Sequence, residues 1–128
     1  MLLRDATAII YGAGGSIGGA VARALAAEGA RLFVTGRRLA PVRALADEIR
    51  ATGGQATASE LDALDAGAVS DFVTATVATT GRLDISFNAI GLQDKQGTPL
   101  TEMSVDDFVR PIVLAMESQF ITCKAQAA

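Results

Sequence analysis

Five glycines within eight residues constrain this chain more than any other feature. They lie in the stretch IIYGAGGSIGG, residues 9–19, which follows an apolar run and leads into an alanine-rich segment with helical spacing. Glycine tolerates positive φ and has no Cβ, so such a loop can turn tightly and let a ligand approach the backbone. Between a strand and a helix, it would present the free N–H groups of the helix N-terminus to a phosphate. The alternative interpretation is a purely structural turn.

Composition bounds the remaining possibilities. The chain has 128 residues, of which 50% are hydrophobic and 20% charged, as expected of one folded domain. A net charge of -3 argues against a nucleic-acid partner. With no histidine and one cysteine, we expect no metal site of the usual zinc type. No apolar run approaches the ~18 residues of a membrane span, so we expect a cytoplasmic protein without a membrane partner.

Apolar runs alternate with segments of helical spacing along the chain. Residues 6–12, 30–36, 55–62 and 82–91 are predicted strands, whereas 17–29, 40–54 and 65–81 are predicted helices. This alternation predicts an α/β fold with a doubly wound, Rossmann-like parallel sheet, in strand order 3-2-1-4. It would be the front part only of that fold. Residues 1–128 are therefore expected to form a single, apparently incomplete dinucleotide-binding domain.

The predicted helices carry start and stop signals. Asp65 is a predicted N-cap, and Ser104 with Asp107 three residues later resembles a capping box. Pro111 is expected to break or kink the helix that follows, leaving a last helix over about 112–126. Cys123 in that helix is expected to be a buried small hydrophobe.

The glycine-rich loop resembles the TGxxxGxG motif of the short-chain dehydrogenases/reductases. In YGAGGSIG, Tyr11 stands in place of the threonine and Ser16 in place of the second glycine. The resemblance implies a phosphate-binding loop between strand and helix. Its expected cofactor-binding residues are Gly12, Gly14, Gly15, Ser16, Ile17 and Gly18.

The end of the second strand, VTGRR, bears on the choice of cofactor. NAD-preferring members often carry an acid where this chain has Gly36, followed by Arg37 and Arg38. A guanidinium suits a 2′-phosphate, so the resemblance implies NADP(H), with NAD less favoured. The alternative is that both arginines are ordinary solvated loop charges.

Two later segments extend the resemblance. Asp62 in SELDALD corresponds to an aspartate of the family that lies against the adenine of the cofactor. The alternative is an ordinary loop aspartate or helix cap. The segment NAIG resembles the family's NNAG strand end, which implies cofactor-side positions at Asn88, Ala89 and Gly91. A plain strand-ending turn is the alternative for this segment.

The family's catalytic Tyr-x-x-x-Lys pair is absent from these residues. The single tyrosine, Tyr11, is followed four positions later by Gly15, and Ala115 stands where the family tends to carry an asparagine. A phenol near pKa 10 needs a nearby cation to act at neutral pH. We therefore expect no catalytic residue here and no turnover from these 128 residues alone.

Three functions remain open at this stage. The favoured one is the NADP(H)-binding portion of a short-chain oxidoreductase that transfers hydride between nicotinamide and a small carbonyl or alcohol substrate. The others are a non-catalytic dinucleotide sensor or regulatory module, and a structural protein without ligand. An unpaired edge on the fourth strand and an apolar final helix further predict a homo-oligomer.

Overall fold

The computed structural model describes residues 1–128 and contains four strands, four α-helices and one 3₁₀ turn. The elements are β1 (Thr7–Tyr11), α1 (Ser16–Ala27), β2 (Arg31–Gly36), α2 (Leu39–Ala51), β3 (Gln55–Glu60), α3 (Ala66–Thr80), β4 (Ile85–Asn88), a 3₁₀ turn (Leu100–Glu102) and α4 (Val105–Ala127). None of these helices combines the length and apolar character that crossing a membrane requires.

The four strands form one parallel sheet in the order β3-β2-β1-β4. Strand β1 is central and fully buried because it is Thr-Ala-Ile-Ile-Tyr, with apolar side chains directed to both faces of the sheet. The predicted fold class and strand order are confirmed. The carboxyl ends of all four strands meet at one edge, where Tyr11 pairs with Asn88 and Gly36 pairs with Glu60.

Each face of the sheet carries its own buried cluster. Helices α1 and α2 cover one face, where Ile10, Leu32 and Val34 pack against Val42 and other α2 side chains. Helices α3 and α4 cover the other face. The buried residues of the cluster on this face are Ile9, Tyr11, Phe33, Leu61, Ala63, Val69 and Val73. Alternate residues of β1 and β2 thus contribute to opposite cores, as the period of a strand requires.

The predicted caps are present. The Asp65 side chain accepts a hydrogen bond from the Ala68 N–H at 3.0 Å, and the Ser104 hydroxyl accepts one from the Asp107 N–H at 3.1 Å. These bonds occupy N–H groups that the first turn of a helix leaves unpaired.

Two expectations about the last helix are wrong. Pro111 does not end or divide it, since α4 runs through Pro111 from Val105 to Ala127. A proline removes a single N–H from the helix ladder, and here its ring is buried against the rest of the fold. Cys123 is exposed, because the buried stripe of α4 passes through its neighbour Thr122 instead.

Candidate functional site

A cavity of about 560 Å³ opens at the carboxyl edge of the sheet, above the ends of β1 and β4. Helix α1 leaves β1 on one face of the sheet and α4 packs beneath β4 on the other, so the crevice lies where the connections diverge. In open α/β sheets this switch point is the usual ligand-binding position. The cavity therefore marks the candidate site on geometry alone.

The first glycine of the loop is fixed by a close backbone approach. Gly12 has a φ of +70°, and a Cβ at this position would lie 2.8 Å from the Ile90 nitrogen and 2.9 Å from the Ala89 carbonyl. A side chain is therefore excluded both by conformation and by contact with the end of β4. Gly12 joins the two strand ends that border the cavity.

Two further glycines have different roles. A Cβ on Gly18 would lie 2.6 Å from the Gly12 oxygen, so Gly18 lets α1 pack directly on the loop. Gly15, in contrast, has an ordinary φ of -86°, and the nearest atom to its Cβ position is 3.7 Å away. The fold does not require glycine at Gly15, but a ligand approaching the backbone would.

The loop is held in place and its donors remain free. The Ala13 N–H donates to the Thr35 backbone carbonyl oxygen at 2.9 Å, which ties the loop to β2. The N–H groups of Ser16, Ile17 and Gly18 have no intrahelical acceptor, as in any first turn. Helix α1 has no acidic residue there and no side-chain cap. An anion would meet uncompensated donors and the positive end of the helix dipole.

Positive charge flanks the cavity at the end of β2. Arg37 and Arg38 line it, both are exposed, and neither forms an ion pair within the chain. Gly36 precedes them without a side chain. After the adjacent strand β3, one Asp62 carboxylate oxygen accepts a hydrogen bond from the Leu64 N–H at 3.0 Å, which leaves its other oxygen available.

Asn88 lies behind the cavity wall and shapes it. Its side-chain oxygen accepts a hydrogen bond from the Ile90 N–H at 3.0 Å, and its amide nitrogen donates to the Ser118 hydroxyl at 3.3 Å. The Ala89 N–H donates to the Tyr11 backbone carbonyl oxygen at 2.9 Å. These bonds set the course of the backbone that borders the cavity.

Tyr11 has no catalytic geometry. Its side chain is 1% exposed among α3 and α4 residues, and its hydroxyl makes no hydrogen bond of normal geometry, although the nearby Ser86 side chain partly offsets the effect of burial on its pKa. Burial raises the pKa of Tyr11 to about 12, which opposes proton transfer near neutral pH.

Ten of the twelve sequence-predicted positions line the cavity: Gly12, Gly14, Gly15, Ser16, Ile17, Arg37, Arg38, Asp62, Ala89 and Gly91. Gly18 and Asn88 support the wall from behind. The α4 part of the lining is Pro111, Leu114, Ala115 and Ser118, of which sequence reasoning singled out only Ala115, as the position of a family asparagine. The spacing of these four residues at one helical face was the signal that could have found them.

Fold and site together define a Rossmann-like α/β domain. The profile of the short chain dehydrogenase family matches residues 6–128, and the chain belongs to this family.

Individual relatives agree with this assignment. An uncharacterised oxidoreductase of Bacillus subtilis, YxbG, is 35% identical over 122 residues, covering 95% of this chain and 44% of YxbG. The D-threitol dehydrogenase of Mycolicibacterium smegmatis is 30% identical over 118 residues, covering 92% of this chain and 45% of that enzyme. The chain thus spans less than half the length of these curated relatives.

Solved structures show the same fold. A metagenomic short-chain oxidoreductase in complex with NADP superposes with a TM-score of 0.86 at 31% identity, covering 99% of this chain and 57% of that one. A short-chain dehydrogenase/reductase of Serratia marcescens gives a TM-score of 0.84 at 30% identity, covering 99% and 51%.

Proposed function

We propose that this chain supplies the NADP(H)-binding portion of a short-chain oxidoreductase. The observation that carries the proposal is Gly15, where the fold leaves room for a side chain beside the free amides of α1 and the chain nevertheless has none. When bound, the nicotinamide would exchange hydride with the carbon of a small carbonyl or alcohol substrate. This chain's residues would bind and orient the cofactor.

The loop and the two arginines divide the cofactor's phosphates between them. The first-turn amides of α1, at Ser16 to Gly18, would hold the pyrophosphate. Arg37 and Arg38 would hold the 2′-phosphate, since both guanidinium groups are unpaired and no carboxylate follows β2 to accept bonds from a ribose hydroxyl. NADP(H) is therefore favoured over NAD(H).

The remaining predicted positions would contact the nucleoside parts. The free oxygen of Asp62 would accept a hydrogen bond from the adenine amino group. The backbone from Asn88 through Ala89 to Gly91 would border the nicotinamide ribose, in the crevice between β1 and β4.

Proton transfer would have to come from outside these residues. Tyr11 is buried with a raised pKa, and no lysine lies four positions beyond it. We expect these 128 residues to show no turnover by themselves. Addition of a folded second half that carries a Tyr-x-x-x-Lys pair should restore NADPH-dependent carbonyl reduction.

A non-catalytic dinucleotide sensor or regulatory module is the second candidate. The observation that favours it is Ala115, which lines the cavity with a methyl group where the family tends to place an asparagine amide. The two candidates differ in the complementation assay, because a sensor would bind NADPH equally well but would gain no activity from a Tyr/Lys-containing half.

The exposed face of helix α4 supports the proposal of a homo-oligomer; a cytoplasmic location is proposed from the sequence alone. The solvent-facing side of α4 is apolar over most of its length, with exposed residues Val105, Phe108, Val109, Ile112, Val113, Met116 and Phe120. Such a continuous face favours association with another apolar surface. Light scattering should show a species larger than 13.1 kDa, and a monodisperse monomer would contradict this part of the proposal.

The direct test of the binding site is a pair of glycine substitutions. Gly15→Ala adds a methyl group at the site, while Gly67→Ala adds one to the exposed first turn of α3, 3.6 Å from the Asp65 carboxylate. We expect Gly15→Ala to raise the Kd for NADPH at least ~10-fold through steric exclusion of the phosphate. Gly67→Ala should leave the Kd unchanged. Equal affinities for both variants would overturn the proposed phosphate loop.

A further inference from the structure

Ser118 joins α4 to the end of β4 through a single hydroxyl. It is 3% exposed, and its oxygen accepts a hydrogen bond from the Asn88 amide nitrogen at 3.3 Å. The same hydroxyl donates to the Ala115 carbonyl one turn back along α4, at 3.2 Å. Ser118 and Ala115 both line the cavity, whereas Asn88 lies behind it.

The direction of each hydrogen bond that links Ile90, Asn88, Ser118 and Ala115 is determined. The Asn88 side-chain oxygen must face the Ile90 N–H, since the opposite orientation of the amide would bring two donors together. Its nitrogen must then donate to Ser118, and the Ser118 hydrogen is left for Ala115. An Asn88 amide held at both ends cannot rotate without breaking one of these bonds.

The hydrogen bond from the Ile90 N–H to the Asn88 side-chain oxygen holds a peptide that lies close against Gly12. The Ile90 nitrogen lies 2.8 Å from where a Cβ on Gly12 would be, so the Ala89–Ile90 peptide is stacked on the first glycine of the loop. Displacement of this peptide would displace Gly12 or open a gap beside it. Ser118 therefore acts on the loop at a distance, through Asn88 and Ile90.

We propose that Ser118 is a positioning residue, which fixes the Asn88 amide and thereby holds the Ala89–Ile90 peptide against Gly12 in the geometry that admits the cofactor. The proposal rests on the proposed NADP(H)-binding function. It concerns this chain's own hydrogen bonds, so part of its test does not depend on the cofactor.

Thr122 provides a matched control on the same helix. It lies one turn beyond Ser118, is 1% exposed, and its hydroxyl bonds only to the carbonyls of Ser118 and Gln119. Thr122→Val removes a buried hydroxyl at nearly constant volume, as Ser118→Ala does. A general loosening of α4 would affect both variants, whereas loss of the Asn88 contact affects only Ser118→Ala.

The experiment combines NADPH titration with amide hydrogen exchange in the full chain. Ser118→Ala should raise the Kd for NADPH about three- to tenfold and speed exchange of the Ile90 N–H, because loss of one hydrogen bond frees the Asn88 amide. Thr122→Val should change neither quantity. In an Asn88→Ala background, Ser118→Ala should have no further effect on the Kd, since the bond it removes no longer exists.

The outcomes separate this inference from the proposed function. Wild-type binding with an unchanged Kd and unchanged Ile90 exchange in Ser118→Ala would overturn the positioning role alone. Equal effects of Ser118→Ala and Thr122→Val would also overturn it, as would additive effects with Asn88→Ala. Absence of NADPH binding by the wild-type chain would overturn the proposed function, whereas the positioning of the Ala89–Ile90 peptide by Ser118 would still be supported by faster Ile90 exchange in Ser118→Ala alone and overturned by unchanged exchange.

Discussion

The two faces of the sheet are built very differently. On the α1/α2 face, twelve buried residues form one cluster, and α2 packs along β2 and β3 with Val42 and Ala46 fully buried. On the α3/α4 face the cluster has seven residues, and α4 directs Phe108, Met116 and Phe120 into solvent. The sheet thus has one well-covered face, and its other face is covered in part by α4, a helix whose solvent-exposed side is also apolar.

This contrast relates stability to the position of the site. The glycine loop leaves β1 toward the well-covered face, where Gly12 and Gly18 are fixed by backbone contacts. The opposite cavity wall comes from α4 and the segment that follows β4, and the four residues of β4 are all only partly buried. The glycine-loop side of the cavity is therefore rigidly specified by local packing, and the wall beyond it depends on a few hydrogen bonds such as that of Ser118.

The largest predicted loss of stability comes from a substitution on the well-covered α1/α2 side of the sheet. Gly18→Ala places a Cβ 2.6 Å from the Gly12 oxygen and 2.9 Å from the Ala13 Cα, both of them backbone atoms that cannot move aside cheaply. We expect a loss of about 4 kcal/mol in the free energy of unfolding, measured by urea denaturation. Gly15→Ala in the same loop should lose less than about 1 kcal/mol. Similar losses in the two variants would contradict the assigned contacts.

The second predicted effect is a pH dependence of stability that comes from Tyr11 on the α3/α4 face. Tyr11 has a native pKa of about 12, against 10.0 for a free phenol, because burial disfavours the phenolate. Between pH 10 and 12 the unfolded chain has lost this proton and the native chain has kept it, so stability falls as the pH rises. The loss should be a few tenths of a kcal/mol at pH 10 and reach about 2 kcal/mol at pH 12.

Tyr11 is the only tyrosine, so its phenolate absorbance reports this titration directly. Tyr11→Phe is the control, because it keeps the ring and removes the ionisable hydroxyl. The stability difference between wild type and this variant should vary with pH only at alkaline pH. A native titration midpoint near 10 would contradict the burial of the hydroxyl.

The smallest predicted effect on stability comes from comparing a Val→Ala substitution on each of the two faces. Val42→Ala, at a fully buried position on α2, should cost about 2 kcal/mol. Val113→Ala, at a position 52% exposed on α4, should cost less than about 0.5 kcal/mol in dilute solution. Denaturation over a dilution series separates the two cases. A cost at Val113 that equals the cost at Val42 and persists on dilution would contradict the exposure of α4.

Sequence reasoning succeeded where the determining contacts are local. Strand and helix periods and the Asp65 cap follow from neighbours in the chain. The strand order, which pairs β1 with the distant β4, follows instead from the connection rules of β-α-β units. It failed at Pro111, where packing of the ring outweighs the loss of one helical hydrogen bond, and at Cys123, whose burial depends on the rotation of α4. The hydrogen bond between Ser118 and Asn88 could not be predicted, since it joins two residues 30 positions apart.

Isothermal titration of the wild-type chain with NADPH and with NADH tests the central claim most directly. The account predicts one saturable site for NADPH, with a Kd on the order of micromolar, and at least ~10-fold weaker binding of NADH. In the Arg37→Ala/Arg38→Ala double variant, the two affinities should become equal through loss of NADPH binding alone. Failure of NADPH to saturate, or equal affinities in the wild-type chain, would contradict the account.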